Sequence, residues 1–269
     1  MNSVVGIVGT GLIGASVGLR ARENGARVLG TDISEDALRV ARECGAIHEA
    51  ASLDELRSQA DVFVIAAPVS QCIAVLSQLA ATRVDAGLVL DVASVKVPVV
   101  SAAAGIACFV GTHPMAGSER SGPAAARIDL FAQRPWAYVP SGSATLDEKA
   151  VAFIVSMGAI PLPVEAKAHD AAVAYTSQLP QLFAALFSAE LRRRGGPAAQ
   201  LCGPVANELQ RLGRSEFSLW KDILESNADN ISTELRAMAR RLEGAAEALD
   251  KHEMHRVAGA FEAPNVKGD

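Results

Sequence analysis

Aromatic residues are scarce, at 4% of the 269 residues. So few rings leave little to stack on unpaired bases, which argues against a single-stranded nucleic-acid partner. Positive charge is not in surplus either. Lys and Arg number 25 against 30 Asp and Glu, for a formal net charge of -5, whereas phosphate backbones are held by clustered cations. No nucleic-acid partner is expected. Cysteine is also rare. Cys44, Cys72, Cys108 and Cys202 stand far apart with no CxxC pair, and none of the five histidines lies at metal-ligand spacing from them. We therefore expect no metal, no disulfide framework, and reduced thiols in a cytoplasmic protein. No basic residue precedes Arg20, so the apolar start lacks the charged region of a secretory signal. One uncharged run, Val62 to Thr82, is long enough to span a bilayer. Pro68, Ser70, Gln71 and Gln78 interrupt it, and it reads as a buried strand, a turn and a helix, so no membrane partner is expected.

What the chain has in quantity is apolar residues, 50% against 20% charged, which excludes disorder and suffices for one or two cores. Short apolar runs at Val4–Val8, Val28–Gly30, Val62–Ile65, Leu88–Leu90 and Cys108–Val110 alternate with helical stretches at Leu12–Asn24, Glu35–Cys44 and Ser70–Ala81. Trp136–Val139 and Ile160–Val164 read as further strands of the same sheet. Uniformly apolar strands alternating with helices define a parallel α/β sheet. Ser34 is placed to cap the second helix.

Near residue 165 the pattern becomes helical. Tyr175, Leu179, Leu182, Leu186 and Ala189 recur at three- and four-residue steps, with Pro180 expected to kink the helix and Gly195-Gly196-Pro197 to end it. Ile231, Leu235, Met238, Leu242, Ala245 and Leu249 form a second, longer stripe. A stripe that long needs a partner surface, and a second copy of the same region is the simplest. The expectation is a Rossmann-type α/β domain over residues 1–164, followed by an all-α dimerisation domain over 165–269, forming a homodimer.

The sequence Gly9-Thr10-Gly11-Leu12-Ile13-Gly14 follows the first strand and opens the first helix. In that setting the first glycine permits a tight turn, the second lets a pyrophosphate approach the backbone, and the third allows close helix–strand packing. Helix N–H groups then hold phosphate. Asp32 ends the second strand, where a carboxylate accepts the adenosine ribose hydroxyls and repels a 2′-phosphate, so NAD is favoured over NADP. Ala67 and Pro68, just past the third strand, complete the expected cofactor-binding set with Leu12, Ile13 and Ser94.

Two clusters beyond strand ends carry the candidate chemistry: Asp91-Val92-Ala93-Ser94-Val95-Lys96, and His113-Pro114-Met115-Ala116-Gly117-Ser118-Glu119. A histidine there is suited to accept a hydroxyl proton near neutral pH. Together with the glycine-rich turn these segments resemble the prephenate and arogenate dehydrogenases of tyrosine biosynthesis. The resemblance extends through Leu130-Phe131, Trp136, Pro140, Gly158-Ala159 and His169-Asp170 to Leu219-Trp220-Lys221-Asp222-Ile223 and Asn227.

The resemblance implies NAD-dependent oxidative decarboxylation of prephenate to 4-hydroxyphenylpyruvate, with hydride passing to NAD. It assigns His113 as catalytic base and Ser94 as the group beside the reacting hydroxyl. It assigns Arg211, Gln178, Ser177 and Glu119 to the substrate, with Glu208 orienting Arg211 from one helical turn away. Each has a blander reading: Ser94 as a helix cap, Lys96 as a solvated helix residue, Arg211 in an exposed salt bridge, Trp220 as core and His169-Asp170 as a helix start. His48, His252 and His255 read as surface residues. A small ligand-sensing domain is not expected after the helical region. A non-catalytic dinucleotide-binding regulator would have lost His113 or Arg211, and both are present.

One segment departs from the family. Ser177-Gln178-Leu179-Pro180-Gln181 stands where Ser-His-Leu-Pro-His is usual, so both histidine positions hold glutamine. Glutamine donates and accepts hydrogen bonds but carries no charge. That opens substrate identity to arogenate or to a 4-amino analogue of prephenate.

Overall fold

The structure is a computed structural model that describes residues 3–82, 84–117 and 120–262. Its first part alternates β1 (Val4–Val8), α1 (Leu12–Glu23), β2 (Arg27–Thr31), α2 (Glu35–Glu43), β3 (Glu49–Ala50), α3 (Leu53–Gln59), β4 (Val62–Ile65), α4 (Val69–Ala80), β5 (Leu88–Asp91), α5 (Val97–Ala102) and β6 (Phe109–Val110). These six strands form one parallel sheet in the order β3-β2-β1-β4-β5-β6. The central strands are apolar throughout because both faces are covered. Val5, Ile7, Val64 and Leu90 meet one core, and Val8, Phe63, Ile65 and Val89 meet the other. The run Val62 to Thr82 resolves into β4 and α4, and among the described residues no helix is long and apolar enough to cross a membrane. Ser34 caps α2 as expected, accepting from the Ala37 N–H at 3.2 Å.

The later strands correct the sequence reading. β7 (Thr112–Pro114), β8 (Pro135–Tyr138) and, after α6 (Ala144–Ser156), β9 (Ile160–Pro163) do not extend the first sheet but form a separate three-stranded one. β7 runs antiparallel to β8, while β8 and β9 are parallel. The switch falls at Gly111, between β6 and β7. A Cβ there would come within 2.9 Å of Val100 Cγ2, so a residue without one lets the chain turn tightly against α5. Apolarity alone marked these segments as strands but carried no information about which sheet they join.

The remainder is helical: α7 (Ala166–Val173), α8 (Leu179–Arg194), α9 (Gly196–Gln200), α10 (Pro204–Leu212), α11 (Phe217–Ser226), α12 (Ala228–Asp250) and α13 (Met254–Ala258). Between α7 and α8 the chain makes one π-helical stretch, Ala174–Gln178. Pro180 lies in the first turn of α8, where it has no N–H to give the preceding turn. The expected disturbance at Pro180 is therefore a widened turn that carries the helix on, a form often found at functional sites. Gly195, with φ 57°, ends α8 as expected. Leu186, Leu201, Val205, Leu242 and Leu249 leave much of the helical surface apolar and exposed on the single chain.

Candidate active site

The order of the parallel sheet reverses between β1 and β4, and ligand crevices of such sheets open beyond the carboxyl ends of the strands at that point. Two adjoining cavities lie there, of about 360 Å³ and 680 Å³.

The smaller cavity is walled by Gly11, Leu12 and Ile13 from the glycine-rich turn, by Ala66, Ala67 and Pro68 after β4, and by Ser94. Across from them stand Ser218, Leu219, Asp222 and Ile223 of α11. The three glycines differ in role. Gly9 has φ +88°, and a Cβ on it would strike the Ala66 carbonyl oxygen at 2.3 Å. A Cβ on Gly14 would fall 1.9 Å from the Gly9 carbonyl oxygen. At Gly11 a Cβ would meet nothing within 4 Å, so this glycine leaves open space at the start of α1. Asp32 is held beside the turn. One of its oxygens accepts from Thr10 N at 2.7 Å and from Thr10 Oγ1 at 3.1 Å, and the other accepts from Ser34 N at 2.9 Å. Its turn-forming and ribose-facing readings are thus compatible, because a carboxylate oxygen has two lone pairs. These features fit a dinucleotide: an open cradle at a helix N-terminus with a carboxylate at the end of the second strand. Gly11, Leu12, Ile13, Ala67, Pro68 and Ser94 line the cavity, while Gly9, Gly14 and Asp32 do not.

The larger cavity is lined by Ser94, His113, Thr176, Ser177, Gln181, Arg211, Ser215 and Trp220, among others. Ser94, Ala116, Gly117, Leu219 and Ile223 border both spaces. Ser94 does not cap α5, whose N-terminus has no side-chain cap. It stands half-buried on the shared wall.

His113 sits on β7, and the floor beneath it is ionic. Asp91, at the end of β5, accepts from Thr112 N at 2.9 Å and from Ala93 N at 2.9 Å. It also contacts the Lys96 ammonium, which donates in turn to the Thr112 carbonyl at 2.5 Å. Lys96 is fully buried and lines neither cavity, so its reading as a solvated helix residue does not hold. Its side chain ties the loop after β5 to the strand that carries His113. Burial holds the His113 ring well below the ordinary histidine range, and the Lys96 charge and the neighbouring His169 ring push it the same way. The ring is therefore neutral at pH 7, as a base must be. His169 of α7 meets it, Nε2 to Nδ1, at 2.9 Å, and His169 Nδ1 lies 2.8 Å from an Asp170 oxygen.

Arg211, on α10, makes a two-pronged contact to Glu208, at 2.7 and 3.0 Å. The salt-bridge reading is met, and Arg211 also lines the larger cavity.

Gln178 is a correction. It is 1% exposed, accepts a hydrogen bond from Asn227 Nδ2 at 2.8 Å and lines neither cavity. Neighbouring helical residues point about 100° apart, so Gln178 turns inward while Ser177 and Gln181, four residues apart, share the cavity face. Gln181 donates from Nε2 to the Leu212 carbonyl at 2.8 Å. Glu119 lies outside the described residues. Sequence reasoning passed over Gln181, Thr176 and Trp220 as site residues and did not connect His169 to His113. The four-residue step from Ser177 to Gln181 was the available signal for the first. Nothing in sequence spacing brings residues 113 and 169 together. Among the described residues no cluster of three or more His, Cys, Asp or Glu could hold a metal ion.

Residues 17–159 match the family described as the prephenate dehydrogenase nucleotide-binding domain, and residues 165–263 match the prephenate dehydrogenase dimerization domain. The chain belongs to the prephenate dehydrogenase family. Among curated relatives, the probable prephenate dehydrogenase NovF of Streptomyces niveus is 35% identical over 90% of this chain and 68% of its own length. The prephenate dehydrogenase of Bacillus subtilis is 30% identical over 86% of this chain and 66% of its own length. Among solved structures, prephenate dehydrogenase from A. aeolicus, in complex with hydroxyphenyl propionate and NAD+, superposes with a TM-score of 0.88 at 21% identity, covering 97% of this chain and 96% of that one. Synechocystis arogenate dehydrogenase gives a TM-score of 0.78 at 24% identity, covering 96% of each chain. These structures share the fold: a parallel nucleotide-binding sheet followed by helices.

Proposed function

We propose that this chain catalyses NAD-dependent oxidative decarboxylation of prephenate to 4-hydroxyphenylpyruvate, a step of tyrosine biosynthesis, as a cytoplasmic homodimer. One observation carries the reading: Ser94 stands on the wall between a dinucleotide-shaped cavity and a second cavity that presents both a neutral histidine and an arginine. NAD, when bound, supplies the hydride acceptor. The chain's own residues do the rest. The His113 ring takes the proton from the ring hydroxyl, which raises the hydride-donating power of that carbon. Ser94 shares a hydrogen bond at the same hydroxyl and limits its orientation. The Arg211 guanidinium holds a substrate carboxylate, and Glu208 fixes the plane of that guanidinium. Loss of the other carboxylate as CO2 is driven by aromatisation and asks nothing further of the protein. Asp32 supports NAD over NADP, because a second anionic group would meet its carboxylate.

The match to the dimerization domain and the exposed apolar residues of α8 and α12 support the dimer. Cys44, Cys72, Cys108 and Cys202 are all free thiols, in keeping with a reducing compartment.

A second reading, arogenate as substrate, has its own support. Gln181 spends one Nε2 hydrogen on the Leu212 carbonyl, which leaves its Oε1 as an acceptor beside one remaining N–H. An α-ammonium group can donate to that oxygen; the keto oxygen of prephenate cannot. The deciding experiment measures kcat/KM for purified protein with prephenate and arogenate, each with NAD and NADP, following reduced nicotinamide. Turnover of neither substrate would overturn the reading.

A further inference from the structure

His169 lines neither cavity, yet its ring bridges the candidate base and a buried carboxylate. It is 3% exposed and Asp170 is 1% exposed. Asp170 accepts from Lys96 N at 2.7 Å through one oxygen and from Val97 N at 2.8 Å through the other. A carboxylate that receives backbone N–H groups on both oxygens acts only as an acceptor, so the proton in its 2.8 Å contact with His169 lies on His169 Nδ1. A neutral His169 then has no hydrogen on Nε2. That nitrogen is 2.9 Å from His113 Nδ1, so the shared proton must lie on His113 Nδ1. The proton-free nitrogen of His113 is Nε2, the one left for a substrate.

We propose that His169 is a positioning residue for the reaction: with Asp170 it sets the tautomer of His113, leaving Nε2 bare to accept the substrate hydroxyl proton. The proposal rests on His113 being the base. As His113 Nε2 gains that proton, the ring becomes an imidazolium whose Nδ1–H still donates to His169 Nε2. No proton need travel further, because His169 Nδ1–H stays on Asp170. A hydrogen bond to one imidazole nitrogen setting the chemistry of the other is a general device of histidine sites. Here the outer partner is anchored by the N-terminus of α5 and the buried Asp91–Lys96 pair, so the two rings are held between the parallel sheet and the helical region. A lone ring on β7 would be free to carry its proton on Nε2, where it blocks the reaction.

Two measurements test this. In wild-type protein labelled with 15N-histidine, two-bond 1H–15N correlations above pH 7 report which nitrogen of each ring is protonated, with His113→Gln and His169→Gln spectra assigning the signals. The expected result is Nδ1–H on both rings; Nε2–H on His113 overturns the proposal, and this measurement needs no active variant. In the second, His169→Phe keeps a ring but no acceptor, and should lower kcat about 10- to 100-fold, less than the roughly 100- to 10,000-fold that a general base supplies, because His113 itself is still present. KM for the substrate and NAD affinity should stay close to wild type. His169→Gln, which restores an acceptor oxygen, should recover part of the loss. Wild-type kcat in His169→Phe, or no advantage of Gln over Phe in folded protein, overturns it. If wild-type protein turns over neither prephenate nor arogenate, the functional reading fails, and the tautomer measurement still decides the geometry.

Discussion

Asn227 gives both hydrogens of its side-chain amide to groups of the long helical segment: one to Gln178 Oε1 and one to the Asp170 carbonyl, each at 2.8 Å. This buried contact, beside the cavity position of Gln181, separates the two glutamines at the usual histidine positions: Gln178 is structural and Gln181 faces the cavity. Gln178→Ala should strand the Asn227 donor, and an unmatched buried donor costs about 1–3 kcal/mol. The expected outcome is a lower Tm with an unchanged ratio of kcat/KM between arogenate and prephenate. A changed ratio with an unchanged Tm would contradict the assignment.

Gln181 should behave the opposite way. Gln181→Leu removes the amide of a residue that lines the cavity, along with its bond to the Leu212 carbonyl. Loss of one hydrogen bond to a charged group is worth about 1.5–3 kcal/mol. If an ammonium donates to Gln181, arogenate should lose at least about tenfold in kcat/KM while prephenate changes little. Steady-state kinetics of the two substrates side by side checks this, and equal losses would argue against a donor at that position.

The arginine is tested by dividing its effect between binding and turnover. Arg211→Ala removes a guanidinium that Glu208 holds in one plane. KM should rise by about 10- to 100-fold, on the scale of a charge-assisted hydrogen bond, with a smaller change in kcat. Arg211→Lys keeps the charge but loses the planar fork, and should fall between. An unaltered KM would remove Arg211 from the substrate site.

Much of the first part was legible because its signals are local. A strand, a glycine-rich turn and a helix within Val4 to Glu23 occupy consecutive residues, and so do the cap at Ser34 and the carboxylate at Asp32. The Asp91 and His113 segments announced themselves as strand-end loops. What stayed hidden is set by contacts between distant residues. Lys96 looked like a solvated residue because its partners, Asp91 and the Thr112 carbonyl, come together only when β5 and β7 are in place. The assignment of β8 and β9 to a second sheet depends on the turn at Gly111, not on their own composition. His169 lies 56 residues from His113, and no periodicity spans that gap. Gln178 and Gln181 were separable in principle by helical geometry, yet only the Asn227 contact says which face is buried.

The acidity of His113 gives a pH prediction. Burial, the Lys96 charge and the neighbouring His169 ring together push its pKa well below the ordinary 6.5. A lowered pKa means the neutral, proton-accepting form persists to lower pH, so kcat/KM should stay level through neutrality and fall only on acidification below that value. A limb at or above 6.5 in wild type would contradict the environment described. The same buried ion pair bears on stability. Lys96→Met leaves Asp91 as an uncompensated buried charge, a change that commonly costs about 3–5 kcal/mol. Adding Asp91→Asn should recover part of the lost Tm, and a double variant no more stable than Lys96→Met alone would show that the pairing is not what matters.

Two glycines of the nucleotide turn separate folding from binding. At Gly14 a Cβ would lie 1.9 Å from the Gly9 carbonyl oxygen, a backbone atom that cannot move aside without opening the turn. Gly14→Ala should therefore lower Tm as well as abolish NAD binding. At Gly11, the N-cap of α1, a Cβ would meet no protein atom within 4 Å, although alanine is a poorer N-cap than glycine. Gly11→Ala should lower the Tm of the ligand-free protein only slightly, far less than Gly14→Ala, while NAD affinity falls because the methyl occupies space that the pyrophosphate needs. Calorimetric titration with NAD beside thermal melts of the free protein distinguishes the two outcomes. Normal NAD affinity in Gly11→Ala would mean that the open space at the start of α1 is not where the dinucleotide approaches.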